Sequence, residues 1–106
     1  MPLFVVIGRD GSEGAARRPA ARPAHLAHWA PLARAGRVRF AGPLRDERGD
    51  PRGSVLVFEA PDRGAARAHA AADPYVTAAV FEDFELFETL QVLPEPAEPS
   101  PPAARV

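Results

Sequence analysis

The chain has 106 residues, 46% of them hydrophobic and 25% charged, which is the size and make-up of one globular domain with a modest stability margin. Its 13 Lys and Arg against 14 Asp and Glu leave a formal net charge of -1, so no overall electrostatic pull draws it to nucleic acid. The lack of cysteine excludes disulfides, thiolate catalysis and cysteine metal sites, and no apolar run approaches the roughly 20 residues of a membrane span.

Met1 to Ile7 is too short an apolar run for a signal peptide and lacks a basic leader, so a cytoplasmic protein is expected. Leu3 to Ile7 is apolar and β-branched, followed by Gly8, and predicts a buried first strand. Asp10 to Ala21 carries the turn formers Gly11, Ser12 and Gly14 and reads as a loop, with at most a weak helical turn. Pro23 suits the first turn of a helix in which Leu26, Trp29, Ala30, Leu32 and Ala33 recur at helical spacing. Pro31 predicts a kink there, and Gly36 a C-terminal cap.

Val38 and Phe40 alternate with Arg37 and Arg39, the period of a strand, which Gly42-Pro43 interrupts or ends. Asp46 to Gly53 reads as a hairpin loop and Ser54 to Glu59 as the third strand. Pro61-Asp62 opens a second, alanine-rich helix that Asp73-Pro74 breaks. After a short turn, Val80 to Val92 predicts a last strand with Phe81 and Phe87 on one set of alternate positions. Residues 94–106, with five prolines and almost no large apolar side chain, read as a disordered tail outside a domain of residues 1–93.

The order is β-α-β-β-α-β, an α+β domain of the ferredoxin-like type: a four-stranded antiparallel sheet with two helices on one face. The other face needs cover, and Phe81 and Phe87 suggest that a second subunit supplies it, giving a homodimer.

His25 falls in the first helical turn on a stripe with Trp29 and Leu32. Its imidazole suits general acid-base work, although an interfacial histidine with no chemistry is the commoner case. His28 is three residues on, but that spacing with no cysteine or nearby Glu makes a poor metal site, so no metal is expected. Asp73 before Pro74 fits a helix cap, and it can also orient His25 as carboxylates do in triads. His69, four residues before Asp73, is the local rival for that carboxylate. Gly42 can let a ligand approach the backbone, and Ser54 offers a hydroxyl. Arginine dominates the basic residues beside abundant Ala, Gly and Pro, a GC-rich composition that leaves Arg17, Arg18, Arg34, Arg37 and Arg39 as solvated surface.

Taken together, Arg22-Pro-Ala-His25-Leu, Ala41-Gly42-Pro43, Gly53-Ser54, Ala72-Asp73-Pro74-Tyr75-Val76 and the phenylalanine-rich last strand resemble the YciI (YCII-related) family over about residues 3 to 93. The resemblance implies a ferredoxin-like homodimer of the dimeric α+β barrel type. It implies a His25–Asp73 dyad in a cleft lined by Arg22, Gly42, Ser54, Pro74 and Tyr75. A family relative acts as a dehydrochlorinase on chloroaromatics, so a lyase or isomerase working without metal or organic cofactor on a small anionic or phenolic metabolite is expected. The alternatives are a non-catalytic module that binds a small ligand or regulates a partner, and an interaction domain using its sheet face and tail. Interrupted by Pro31 and with a short charged loop at Asp46 to Gly53, the chain inherits no relative's substrate.

Overall fold

The computed structural model describes residues 1–96; from residue 97 the proline-rich tail lies outside the described residues. The elements run β1 (Leu3–Asp10), α1 (Gly14–Arg34), β2 (Val38–Arg45), β3 (Pro51–Glu59), α2 (Arg63–Ala71), α3 (Pro74–Thr77) and β4 (Phe81–Thr89). The strands form one antiparallel sheet in the order β2-β3-β1-β4. This is the ferredoxin-like arrangement read from the sequence, with α3 as an addition.

Both long helices lie on one face. Phe4 and Val6 of β1, Leu56 and Phe58 of β3 and Leu86 of β4 meet Trp29 of α1 and Ala66 and Ala70 of α2 in one buried cluster. The alanines let α2 sit close to the sheet, and the large volume comes from the strands and from Trp29. A smaller cluster of Ala21, Tyr75, Val80 and Phe81 ties α1 to α3 and the start of β4.

The first correction concerns the stretch expected to be a loop. Residues 14 to 21 are helical, and α1 therefore begins nine residues before Pro23. Pro19, Pro23 and Pro31 are then all interior to the helix. They share one stripe, four or eight residues apart, and all are exposed, so the carbonyls they leave unbonded face water instead of the core. Gly14 is no turn residue: a Cβ there would lie 2.6 Å from the Val80 carbonyl. At the other end the chain leaves as Gly36 predicts. Gly36 has φ +73 and the Arg37 N–H bonds the Leu32 carbonyl at 2.8 Å, the six-to-one link of a Schellman cap.

Strand boundaries move as well. β2 runs through Gly42-Pro43 to Arg45, because an edge strand can lose a proline donor on its unpaired side. The hairpin loop shrinks to the turn around Asp46, whose carboxylate accepts from the N–H groups of Arg48 and Asp50 at 2.9 and 3.0 Å. β4 ends at Thr89, and Leu90 beyond it is exposed.

Phe81 requires a further correction. The register slips between Arg9 and Asp10, so that Arg9 faces Asp83 but Asp10 faces Phe81, and Glu82 is the extra residue of a bulge. The bulge turns Phe81 from the open face to the helix side, where it is 5% exposed and its ring fills the space above Gly8. Phe87, beyond the bulge in regular register, stays on the open face at 47% exposure.

Candidate functional site

The site begins with an uncovered strip of sheet. Helix α1 covers β1 and β3 through Trp29 but leaves most of β2 exposed. Between the two lies a cavity of about 360 Å³ lined by residues of α1, β2, β3 and α3. From α1 come Arg18, Arg22, His25 and Leu26, and from β2 Ala41, Gly42, Pro43 and Arg45. Ser54 and Leu56 of β3 and Tyr75 of α3 complete it.

His25 and Asp73 are 48 residues apart and meet at 2.7 Å between Nδ1 and Oδ1. Asp73 is 2% exposed and caps α3, accepting from the Tyr75 N–H at 2.9 Å. Its other oxygen accepts from the Trp29 indole N–H at 2.8 Å. Burial by itself would raise the Asp73 pKa. The hydrogen bonds from His25, Trp29 and Tyr75 outweigh it and hold the carboxyl below its ordinary value. Because Asp73 is therefore an acceptor only, the Nδ1 of His25 carries a proton, and Nε2 is the nitrogen that can gain or lose one. Asp73 thus both caps α3 and bonds His25, and no hydrogen bond joins it to His69.

Tyr75 fixes the plane of the imidazole. The rings stack at 3.8 Å with 3° between them, and Phe81 meets the tyrosine edge-on at 5.6 Å. Ser54 is 5% exposed and accepts from Arg18 at 3.2 Å, which leaves its own hydroxyl proton available. Gly42 lines the cavity with its main chain; its missing side chain would point to the open face, 3.2 Å from the Phe40 ring. Arg22 is exposed at the rim. Pro74 is not among the lining residues and serves as the first residue of α3.

Arg18 was expected on the solvated surface and is instead a wall of the cavity. It forms a two-pronged pair with Asp10 at 2.7 and 2.8 Å, donates to the Gly53 carbonyl at 2.7 Å and lies 5.1 Å above the Tyr75 ring. Burial opposes its charge, but the Asp10 carboxylate and Tyr75 more than compensate, so its pKa is raised. One signal could have found it: Arg18, Arg22, His25 and Trp29 recur at four, three and four residues, one helical stripe. Reading residues 10 to 21 as a loop hid that stripe. Leu26, Ala41 and Pro43 stand in the motifs that carry the family resemblance, whereas Arg45 and Leu56 carry no signal in the sequence.

His28 turns away from His25. Its Nε2 donates to the His69 carbonyl at 2.7 Å, and its ring stacks on His69 at 4.0 Å. Among the described residues no group of three His, Asp or Glu side chains could hold a metal ion. No helix among them is long and apolar enough to cross a membrane.

Comparison with known proteins agrees with this architecture. The YCII-related domain matches residues 2–90. Protein YciI of Escherichia coli O6:H1 is 38% identical over 86 residues, covering 76% of this chain and 88% of that protein. Protein YciI of Shigella flexneri matches equally. Among solved structures, the 5-chloro-2-hydroxyhydroquinone dehydrochlorinase of Burkholderia phenoliruptrix, in complex with 2,5-dihydroxybenzoquinone, superposes with a TM-score of 0.70. Its identity is 24%, over 80% of this chain and 90% of that one. A cofactor-independent oxygenase from Streptomyces nogalater superposes at 0.54 with 19% identity, over 89% and 98%. At these identities the two likenesses are of fold.

Proposed function

The chain belongs to the YCII-related family, and from that premise we propose that it is a small enzyme performing acid-base chemistry on a compact cyclic metabolite without metal or organic cofactor. One observation carries the reading: a histidine tied through Nδ1 to a buried carboxylate at 2.7 Å forms part of a cavity wall. Nε2 of His25 takes a proton from a carbon of the bound ring. In an elimination the C–H electron pair becomes the new double bond, and a leaving group departs with its own bonding pair. In an isomerisation His25 returns the proton to another carbon of the same ligand. Asp73 holds the imidazole in place and stabilises the charge that forms on it. Ser54 and Arg22 hold a polar substituent. The dehydrochlorinase that shares the fold lends support for a ring-shaped, oxygen-bearing ligand.

Small cyclic metabolites screened by thermal shift should yield a stabilising ligand. In deuterated water that ligand should exchange a carbon-bound proton or form product, and His25→Ala should abolish this while binding persists. Binding with no exchange and no product would identify the cleft as a recognition module instead.

We also propose that a second copy of the chain covers the open sheet face. Phe40, Val57, Val5 and Phe87 align in one row across all four strands, with Val55 and Ile7 beside them. Phe40 is 58% exposed. A contiguous apolar row of this kind marks an interaction surface. Phe40→Glu with Phe87→Glu should give a monomer by sedimentation, whereas a wild-type chain that is already monomeric at micromolar concentration refutes the pairing.

A further inference from the structure

The charge of the cavity is opposite to that of the chain. The whole sequence carries a formal -1, yet the cavity wall contains Arg18, Arg22 and Arg45 and no carboxylate. Arg18 is neutralised by Asp10. Arg9, Arg39 and Arg52 likewise have acidic partners on the surface. Arg22 and Arg45 have none: no hydrogen bond or ion pair engages either side chain among the described residues. Arg22 comes from α1 and Arg45 from the end of β2, so they reach the cavity from two elements that do not share a backbone ladder. Unpaired cations around a concavity with low-dielectric walls focus a positive potential into it.

Resting on the acid-base reading above, we infer that Arg22 and Arg45 form a carboxylate-binding subsite and that the ligand is a single-ring compound bearing one carboxylate. A planar guanidinium matches the two oxygens of a carboxylate. The stacked His25 and Tyr75 rings give the cavity a flat wall suited to a planar ligand. Its volume of about 360 Å³ lies at the small end of ligand pockets and limits the ligand to a compact one. Arg45 lies past the Pro43–Ser54 pairing, toward the β2–β3 hairpin, at the end where Arg18 holds Gly53 and Ser54. The carboxylate is therefore held at that end, and the ring extends toward His25.

The test compares two probes that differ only in the carboxylate, 3,4-dihydroxybenzoate and catechol, titrated by calorimetry. Dihydroxybenzoate should bind at least about tenfold more tightly, the worth of one charge-assisted hydrogen bond. The preference should disappear in the Arg22→Gln, Arg45→Gln double variant and persist in an Arg34→Gln, Arg48→Gln control, whose side chains lie outside the cavity. It should also persist in His25→Ala, so that an anion site is scored even if no proton exchange is ever found. Equal binding of the two probes, no binding of dihydroxybenzoate at millimolar concentration, or a preference that survives the double variant overturns the inference.

Discussion

Two histidine sites lie one helical turn apart on α1 and have opposite surroundings. His25 meets an ionised carboxylate through Nδ1, stacks on a tyrosine and borders a cavity. His28 meets a backbone carbonyl and stacks on His69, a half-buried neighbour whose Nε2 is buried without a partner. Burial, the nearby His28 and, to a lesser degree, Arg37 push the His69 pKa down against the weaker pull of Asp73. Trp29 stands between the sites, donating to Asp73 and meeting His69 edge-on at 4.5 Å. The same residue type thus serves two ends. A counter-charge and a place on the cavity wall make one imidazole a candidate for chemistry, and the other pair, which has neither a bonded carboxylate nor a cavity, serves as packing.

The largest effect expected on this contrast is at its shared carboxylate. Asp73→Ala leaves His25, Trp29 and the Tyr75 N–H without their acceptor, and a broken buried network of this kind costs about 3–5 kcal/mol. The urea midpoint should fall accordingly with an unchanged slope, and a loss under about 1 kcal/mol would show that the network contributes little beyond ordinary surface contacts. Trp29→Phe is next. It removes one donor and part of a core ring for about 1–3 kcal/mol. It should also let the Asp73 pKa rise toward the ordinary value. Asp73 contributes stability that is present above the unfolded value near 3.9 and lost as pH falls through its lower folded value. The acid-side decline in stability should therefore be shallower in Trp29→Phe than in the parent.

His69 supplies a separate pH window. Its folded pKa is depressed, so its contribution is complete above the unfolded value of about 6.5 and declines as pH falls through the folded one. His69→Phe keeps a stacked ring and should remove that decline, read as urea midpoints across mildly acidic pH; an unchanged slope would assign the decline to another group. The smallest effect is at His28. Gln can still donate to the His69 carbonyl, so His28→Gln should cost no more than about 1 kcal/mol and leave ligand binding at the cavity unaltered. A change in affinity there would show that the two sites are coupled through Trp29.

The order of the elements along the chain was legible because each element depends on local pattern. Phe4, Val6, Leu56 and Phe58 alternate, Asp62 caps α2 by accepting from Ala65 at 2.8 Å, and Gly36 closes α1. The start of α1 was not. Gly11 and Ser12 do form the turn ahead of it, but Gly14 and Pro19, also turn formers by local preference, are taken into the helix by tertiary contact, since Gly14 must fit beneath Val80 while exposed prolines lose bonds that water can replace. Phe81 was misassigned for a related reason: a one-residue bulge inverts strand parity and leaves no mark in the alternation.

The sequence by itself determined the ferredoxin-like order, the excluded chemistries and the types of side chain available for proton transfer, because periodicity and composition act over a few residues at a time. Only the tertiary structure decided that Trp29 shares the carboxylate of Asp73 with His25 and that Arg18 is a wall of the site. It also decided that Arg22 and Arg45 remain without an acid. Those outcomes turn on distances between residues tens of positions apart, which are set when helices pack on a twisted sheet and which no local pattern encodes.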